Sequence, residues 1–166
     1  MSPFKKPVII DTDCISNLFS TGQLERFLKF WICGQFLVPD RVFNELHKWP
    51  AHGVEVCRII HRLAEAGQVS IISIDENSEA ETSAYLELRM RHPVLGQGES
   101  EVIAIARARN YIVATNDTVA RARCKEVFPD IEVINTLGII RMAKDDGLIS
   151  LGEVDAIWNK IREQRH

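Results

Sequence analysis

The stretch Val8-Ile-Ile-Asp-Thr-Asp13 decides the fold, because an uninterrupted apolar run leads directly into acidic residues. Such a run, from Pro7 to Asp11, is typical of a central β-strand that is buried on both faces. A second run of this kind, Tyr111 to Thr115, ends two residues before Asp117. Short β-branched segments alternate with longer amphipathic ones along the rest of the chain. This alternation predicts an α/β fold, a three-layer α/β/α sandwich with a central, mainly parallel sheet.

The other elements follow from hydrophobic periodicity and from glycine and proline stop signals. Periodicity of 3.6 predicts helices, and short β-branched runs predict strands. The predicted helices cover 21–31, 40–46, 54–66, 79–91, 117–127, 136–144 and 151–162, with a short helix around Ile15 and Leu18. A further helix starts within Gly96-Gln-Gly-Glu-Ser-Glu and carries Val102, Ile103 and Ala106 as its packed stripe. The predicted strands cover 36–38, 69–74 and 131–134.

Composition limits the class of protein. The chain has 166 residues, 46% hydrophobic and 26% charged, which is typical of one globular domain, here expected over 1–166. Its formal net charge of −3 argues against binding nucleic acid through a strongly basic surface. No signal-peptide core or membrane span is present, so a cytoplasmic protein without membrane contact is expected. The scattered cysteines predict reduced thiols and no zinc site: Cys14, Cys33, Cys57 and Cys124.

Four carboxylates stand out by their positions. Asp11 and Asp117 follow buried strands, and the carboxyl ends of parallel strands form one crevice. Glu99 begins a helix after Gly-Gln-Gly, and Glu45 lies in the helix after Pro39. Three of them also have a structural explanation: an N-cap for Asp117, a favourable helix-dipole interaction for Glu99, and a solvated face for Glu45. Asp11 has none, because a carboxylate at the end of a buried apolar run needs a partner.

Taken together, the four carboxylates indicate a metal site. Like charges gathered in one crevice repel unless a cation neutralises them. Oxygen ligands without histidine or cysteine suit Mg²⁺ or Mn²⁺. Such a metal activates water and stabilises the charge that develops during phosphodiester cleavage.

In four segments, over about residues 7–150, the sequence resembles the PIN-domain nucleases, which include the toxins of VapBC toxin–antitoxin pairs. A further similar segment runs from Ile134 to Ile149, and a C-terminal helix is expected over 151–163. The four segments, in the family's order, are VIIDTD around Asp11, LVPDRVFNEL around Glu45, GQGESEVIAIARA around Glu99 and YIVATND ending at Asp117.

The resemblance implies a Mg²⁺- or Mn²⁺-dependent endoribonuclease that cleaves single-stranded RNA, with an antitoxin protein as partner. Its catalytic and metal-binding residues would be Asp11, Glu45, Glu99 and Asp117. Many PIN domains have Asp at the position of Glu99, and Val119 replaces a further acidic residue. Glu101 ranks below Glu99 as a ligand because it points to a different helical face.

Neighbouring polar residues are candidates for supporting roles. Thr12, Thr115 and Asn116 flank the expected ligands and are placed to orient water or phosphate. Asp13 is either an extra ligand or the N-cap of the first short helix. Basic residues are candidate phosphate contacts, with solvated helix faces as the alternative: Arg89, Arg91, His92, Arg107, Arg109, Arg121, Arg123 and Lys125.

Two other functions compete with a nuclease. Asp11-Thr-Asp13 matches the start of the HAD phosphatase motif, in which the first Asp is the nucleophile. Ile15 stands where that motif has Thr or Val, and no motif lysine is evident. A non-catalytic PIN-like scaffold that binds RNA or protein is the second alternative. Dinucleotide binding is excluded because Gly96-Gln-Gly98 follows no predicted strand and lacks a third glycine.

Large aromatic residues suggest self-association as well. They are more numerous than one small core needs, so a homodimer interface and simple burial are both open. The residues are Phe27, Phe30, Trp31, Phe43 and Trp49.

Overall fold

The two apolar runs form neighbouring strands in the middle of a parallel sheet. The computed structural model describes residues 6–29 and 35–164. Within these ranges the sheet has five strands in the order β3-β2-β1-β4-β5, and all neighbouring pairs are parallel. This arrangement confirms the predicted α/β/α fold class. The strands are β1 (Val8–Ile10), β2 (Phe36–Pro39), β3 (Val69–Ile72), β4 (Ile112–Ala114) and β5 (Val133–Ile134).

The helices connect these strands and cover both faces of the sheet. Their bounds agree closely with the periodicity; α5 begins and ends where the sequence predicts, between Ser78 and His92. The helices are α1 (Thr12–Ser20), α2 (Leu24–Lys29), α3 (Asp40–His47), α4 (Gly53–Glu65), α5 (Glu79–Arg91), α6 (Gln97–Arg109), α7 (Thr118–Val127), α8 (Thr136–Asp145) and α9 (Leu151–Glu163).

Helix α2 begins later than predicted. It begins at Leu24 because Thr21 and Gly22 form a turn, with Gly22 at a positive φ of 73°. Strand β3 also ends early, at Ile72. Residues 30–34, which include Phe30, Trp31 and Cys33 of the predictions above, lie outside the described residues.

Helix α6 is buried more completely than its pattern predicts. The sequence suggests one packed stripe, but every residue from Ser100 to Ala106 is buried. The reason is its central position, since α6 packs against β1, β2 and β4 and also against α3 and α5. Polar residues of this helix therefore lie inside the protein.

The sheet order explains where a site forms. Strand β1 has β2 on one side and β4 on the other, with Val8 opposite Phe36 and Ile112. The chain therefore leaves the carboxyl ends of β1 and β4 in opposite directions. A crevice opens at such a point of reversal, and Asp11 and Asp117 both follow strands that end there.

The described aromatic residues considered for a dimer interface are largely internal. Phe27 is fully buried, so of the two alternatives for this residue burial is correct. Phe43 and Trp49 are partly buried and pack against the core. Helix α2 places Phe27 on its apolar face, so burial accounts for this residue.

The described cysteines, Cys14, Cys57 and Cys124, are buried free thiols, as predicted. None of the described helices combines the length and apolarity needed to span a membrane.

Candidate active site

Asp11 is the buried anchor of the acidic crevice. Its side chain is 5% exposed, accepts a hydrogen bond from the Thr12 N–H (2.8 Å) and caps the N-terminus of α1. The other carboxylate oxygen accepts from the Thr115 hydroxyl (3.1 Å). Burial raises the pKa of Asp11 to about 7, and the charges of Glu99 and Asp13 also raise it. The fold therefore holds a carboxylate where its charged form is unfavourable without a cation.

Thr115 links Asp11 to Asp117. Its hydroxyl donates to Asp11 and accepts from the Asp117 backbone N–H at 3.2 Å. One carboxylate oxygen of Asp117 accepts from the Ala120 N–H (2.9 Å) and so caps α7. The capping explanation for Asp117 is therefore correct, and the same residue faces the acidic crevice.

Glu99 also approaches Asp117. It occupies the first turn of α6, where one oxygen accepts from the Gly96 N–H at 2.9 Å. Burial raises the pKa of Glu99, and both the charge of Asp117 and a hydrogen bond between the two carboxyls raise it further. Glu99 therefore lies among acidic neighbours in addition to its favourable place at a helix N-terminus.

Glu45 joins the crevice from α3. One oxygen of its carboxylate accepts a hydrogen bond from the Thr12 hydroxyl at 2.7 Å. The other lies against Gly98, where an added Cβ would come within 2.6 Å of it. A side chain at Gly98 would therefore displace the Glu45 carboxylate, a close approach that the sequence does not reveal. Glu45 sits between the N-terminal turns of α1 and α6.

The remaining polar candidates divide between the crevice and its surroundings. Asp13 is exposed in the first turn of α1, and Asp11 rather than Asp13 is the N-cap. The charge of Asp13 nevertheless acts on Asp11 and Glu99. Asn116 turns away from the carboxylates: its amide donates to the Thr136 hydroxyl (2.7 Å) and accepts from the Thr136 N–H (2.9 Å).

The donor set fits a hard divalent cation, although its side chains are not arranged around one here. In residues 6–29 and 35–164, no three acidic, histidine or cysteine side chains are grouped closely enough to hold a metal. Glu45, Glu99 and Asp117 instead accept hydrogen bonds from protein groups. The carboxylate-only chemistry and the raised pKa of buried Asp11 both favour a cation.

Most of the basic residues considered as phosphate contacts have structural partners. Arg109 shows this best, since it forms a 2.5 Å salt bridge with buried Glu81. Among the described residues, Arg121 forms neither a salt bridge nor a side-chain hydrogen bond and stays available. The other partners are Glu87 for Arg91, Glu126 for Arg123, backbone carbonyls for Arg89 and Lys125, and the Phe128 ring for Arg107.

A second charged cluster lies beside the crevice and was missed by sequence reasoning. Glu101 is 2% exposed and forms a 2.8 Å salt bridge with Arg41. Burial raises the pKa of Glu101 to about 7, the charge of Asp40 also raises it, and Arg41 lowers it. One feature of the sequence indicates that this cluster lies near the crevice: Arg41 and Glu45 are four residues apart, so they share one face of the same helix.

We expect the metal-free protein to lose stability as the pH rises. A carboxyl whose folded pKa exceeds its unfolded value stabilises the fold fully at low pH, and this contribution disappears as the pH rises through the folded pKa. For Asp11 the window runs from 3.8 to about 7 and corresponds to at most about 4 kcal/mol. Urea unfolding in EDTA between pH 4 and 8 measures the free energy of unfolding of both proteins. The free energy of unfolding of Asp11→Asn should exceed that of wild type by an amount that grows across this window and then levels off. A difference that does not depend on pH would contradict the raised pKa of Asp11.

Comparisons with known proteins place this geometry in a family. A family model described as a PIN domain matches residues 7–165. No curated protein gives a significant match.

Several solved structures resemble the chain. VapBC2 from Rickettsia felis, bound to a DNA fragment from its promoter, has a TM-score of 0.52 at 16% identity, covering 77% of this chain and 97% of that one. FitAcB from Neisseria gonorrhoeae has a TM-score of 0.48 at 15% identity, and the match covers 78% of this chain and 97% of that one. The PIN domain endonuclease Utp24 has a TM-score of 0.43 at 21% identity, and the match covers 77% of this chain and 83% of that one. The likeness to the Rickettsia structure supports the shared fold, and the family model spans nearly the whole chain. This chain therefore belongs to the PIN-domain family of nucleases.

Proposed function

We propose that this chain is an endoribonuclease that hydrolyses phosphodiester bonds of single-stranded RNA with Mg²⁺ or Mn²⁺, as a single PIN-like domain over 1–166. The observation that carries the proposal is the crevice of four carboxylates on four different elements. Asp11, Glu45, Glu99 and Asp117 lie at the start of α1, in α3, at the start of α6 and at the start of α7. Such a gathering costs free energy, and a bound cation offsets that cost.

In this proposal the four carboxylates hold the metal and the threonines orient them. When bound, the ion activates water and stabilises charge on the reacting phosphate. Thr115 fixes the spacing of Asp11 and Asp117, because its hydroxyl bonds to both residues. Thr12 holds Glu45 through its hydroxyl. Glu45 is held by one hydrogen bond, from Thr12, and Glu99 by two, with Gly96 and Asp117. Both have long side chains, so they adjust to a cation at small cost.

We also propose a protein partner, a toxin–antitoxin context and a cytoplasmic location. The structure from Rickettsia felis that shares the fold is a VapBC assembly bound to promoter DNA. By analogy with that assembly, a small antitoxin protein is the partner that we expect. Recovery of the chain from its native host without any bound small protein would count against this part.

A homodimer forms the last part of the proposal, through α5 rather than the aromatic residues discussed above. Leu86 and Met90 lie four residues apart on α5 and are 57% and 80% exposed, and Val94, just after the helix, is 64% exposed. Glu79 begins this helix and Arg91 ends it, so antiparallel packing against the same helix of a second copy pairs opposite charges. A monomer in sedimentation at micromolar concentration would contradict this interface.

Cleavage of defined oligonucleotides tests the proposed reaction. Purified protein is incubated with labelled single-stranded RNA, double-stranded RNA and single-stranded DNA, each in millimolar Mn²⁺, in millimolar Mg²⁺ and in EDTA. We expect cleavage of single-stranded RNA with either metal and none in EDTA. Binding of RNA without cleavage in every metal would support the scaffold alternative. A trapped aspartyl-phosphate at Asp11 would support the phosphatase alternative.

A further inference from the structure

Arg41 is held at the protein surface by three residues from other elements. Its Nε lies 2.8 Å from Oε2 of Glu101, and its Nη1 donates to the side-chain oxygen of Gln97 at 2.6 Å. The guanidinium carbon also lies 5.8 Å from the centre of the Tyr85 ring. These contacts fix an arginine side chain that is still 44% exposed. A guanidinium held in this way loses little conformational entropy when it binds a ligand.

Burying the Glu101 carboxylate costs free energy of folding, so stability alone does not explain its position. The residue is 2% exposed, and its Oε2 accepts no aligned hydrogen bond from the described part of the chain, despite the short distance to Arg41. Burying a carboxylate beside an arginine is often less stabilising than an apolar pair of similar volume. A fixed orientation of the guanidinium is what this arrangement does provide.

Arg41 also lies at the rim of the acidic crevice. It precedes Glu45 by four residues on α3, so the two side chains leave the same face of that helix. Gln97, which accepts from Arg41, is next to Gly98, against which Glu45 rests. The two Nη2 hydrogens of Arg41 have no acceptor among the described residues, so they remain available to a ligand beside the crevice.

A positively charged side chain beside the crevice would help an RNA strand to bind there. The crevice itself is acidic and the chain has a net charge of −3, so a polyanion is repelled on approach. The planar fork of arginine matches the oxygens of a phosphate group, and arginine stays charged at all relevant pH values.

We propose that Arg41 binds a backbone phosphate of the RNA strand, next to the one being cleaved, and that Glu101, Gln97 and Tyr85 hold it in position. This inference rests on the proposed nuclease function and adds a specific contact to the substrate strand. It treats Arg41 as a binding residue and Glu101 as a positioning residue. Because a phosphate contact is independent of base identity, Arg41 should affect affinity similarly for all RNA sequences.

Binding of a short fluorescein-labelled oligouridylate tests the proposal independently of cleavage. All proteins carry Asp11→Asn, which prevents turnover in the proposed mechanism, and affinity is measured between roughly 50 and 200 mM KCl. The main variant combines Arg41→Gln with Glu101→Gln, so that no buried charge is left without its partner. Arg62→Gln with Glu25→Gln removes the same two charges from an exposed ion pair between α4 and α2 and is the matched control.

We expect the double variant to bind about tenfold more weakly at low salt, with a salt slope smaller by roughly 0.7 to 1. Glu101→Gln alone should keep the slope and lose only part of the affinity, because the charge stays and its fixed orientation is lost. Unchanged affinity and slope in a double variant with a normal thermal melt would overturn the proposal.

A change of ligand covers the case in which the double variant does not fold. Uncharged methylphosphonates replace the phosphates of the oligonucleotide one at a time, and binding to Asp11→Asn and to Asp11→Asn with Arg41→Lys is compared. The proposal requires one linkage whose neutralisation weakens binding less in the lysine variant; equal losses at every linkage overturn it. RNA binding that depends on Arg41 without any cleavage by wild type would refute the nuclease and leave the phosphate contact intact.

Discussion

Replacing Asp11 by Asn is expected to reduce RNA cleavage by at least about a hundredfold, while the melting temperature in EDTA stays equal or rises. Removing a group that stabilises transition-state charge typically costs two to three orders of magnitude in rate. Stability should not suffer, because Asn keeps the shape of Asp11 and removes a buried negative charge. Initial rates on single-stranded RNA in Mn²⁺ and thermal melts near pH 7.5 provide the two measurements.

Asp130→Asn is the matched control, since it removes an exposed carboxylate that precedes β5, whereas the crevice lies at the carboxyl ends of the strands. It should change neither the rate nor the melting temperature. Full activity in Asp11→Asn would show that Asp11 is not in the catalytic site. A sharply lower melting temperature in EDTA would identify Asp11 as a structural acceptor for Thr12 and Thr115.

Addition of a divalent metal is expected to stabilise the wild-type protein strongly. A ligand that binds only the folded state at about a hundred times its dissociation constant contributes about 2.7 kcal/mol. For a protein of this size that corresponds to a rise of roughly 5–10 °C in melting temperature. We expect this rise in millimolar Mn²⁺, and a much smaller one in Asp11→Asn, Asp117→Asn or Glu45→Gln. Melts in EDTA, Mn²⁺ and Mg²⁺ measure it.

Ca²⁺ or K⁺ at matched ionic strength separates specific binding from screening of the acidic charges, since screening requires no particular ion. Equal stabilisation by K⁺ would show that the crevice only collects counterions. No shift with any divalent ion would contradict the proposed metal site. If metal still raises the melting temperature of Asp117→Asn but not that of Asp11→Asn, Asp117 is not a ligand and the other three carboxylates remain candidates.

The sequence predicts this fold well because its main signals are local. The apolar run before Asp11 and the one before Thr115 are buried strands, and the caps at Ser78 and His92 set the bounds of a helix. The convergence of Asp11 and Asp117 also follows from a general rule, since both come after parallel strands that end at one crevice. The crevice was therefore foreseeable from residue order alone.

Contacts between distant elements were not foreseeable in the same way. The sequence places Glu101 on a different helical face from Glu99, but residues 100–106 of α6 are all buried and its acid meets Arg41, sixty residues earlier in the chain. Arg109 has the charge of a phosphate contact but pairs with buried Glu81. In both cases helix packing decides which partner a charge meets, and periodicity along one helix carries no information about the next.

The pairing of β1 with β4 has a consequence for how the protein is made. Val8 lies opposite Ile112, so the central pair of the sheet joins the beginning of the chain to its last third. A nascent polypeptide that has emerged from the ribosome only as far as α6 carries Asp11, Glu45 and Glu99, but it lacks both Thr115 and Asp117. The four carboxylates of the crevice are therefore all present only after translation has passed Asp117. Under the proposed nuclease function, a shorter nascent chain lacks part of the metal-binding set and is not expected to cleave RNA beside the ribosome that makes it.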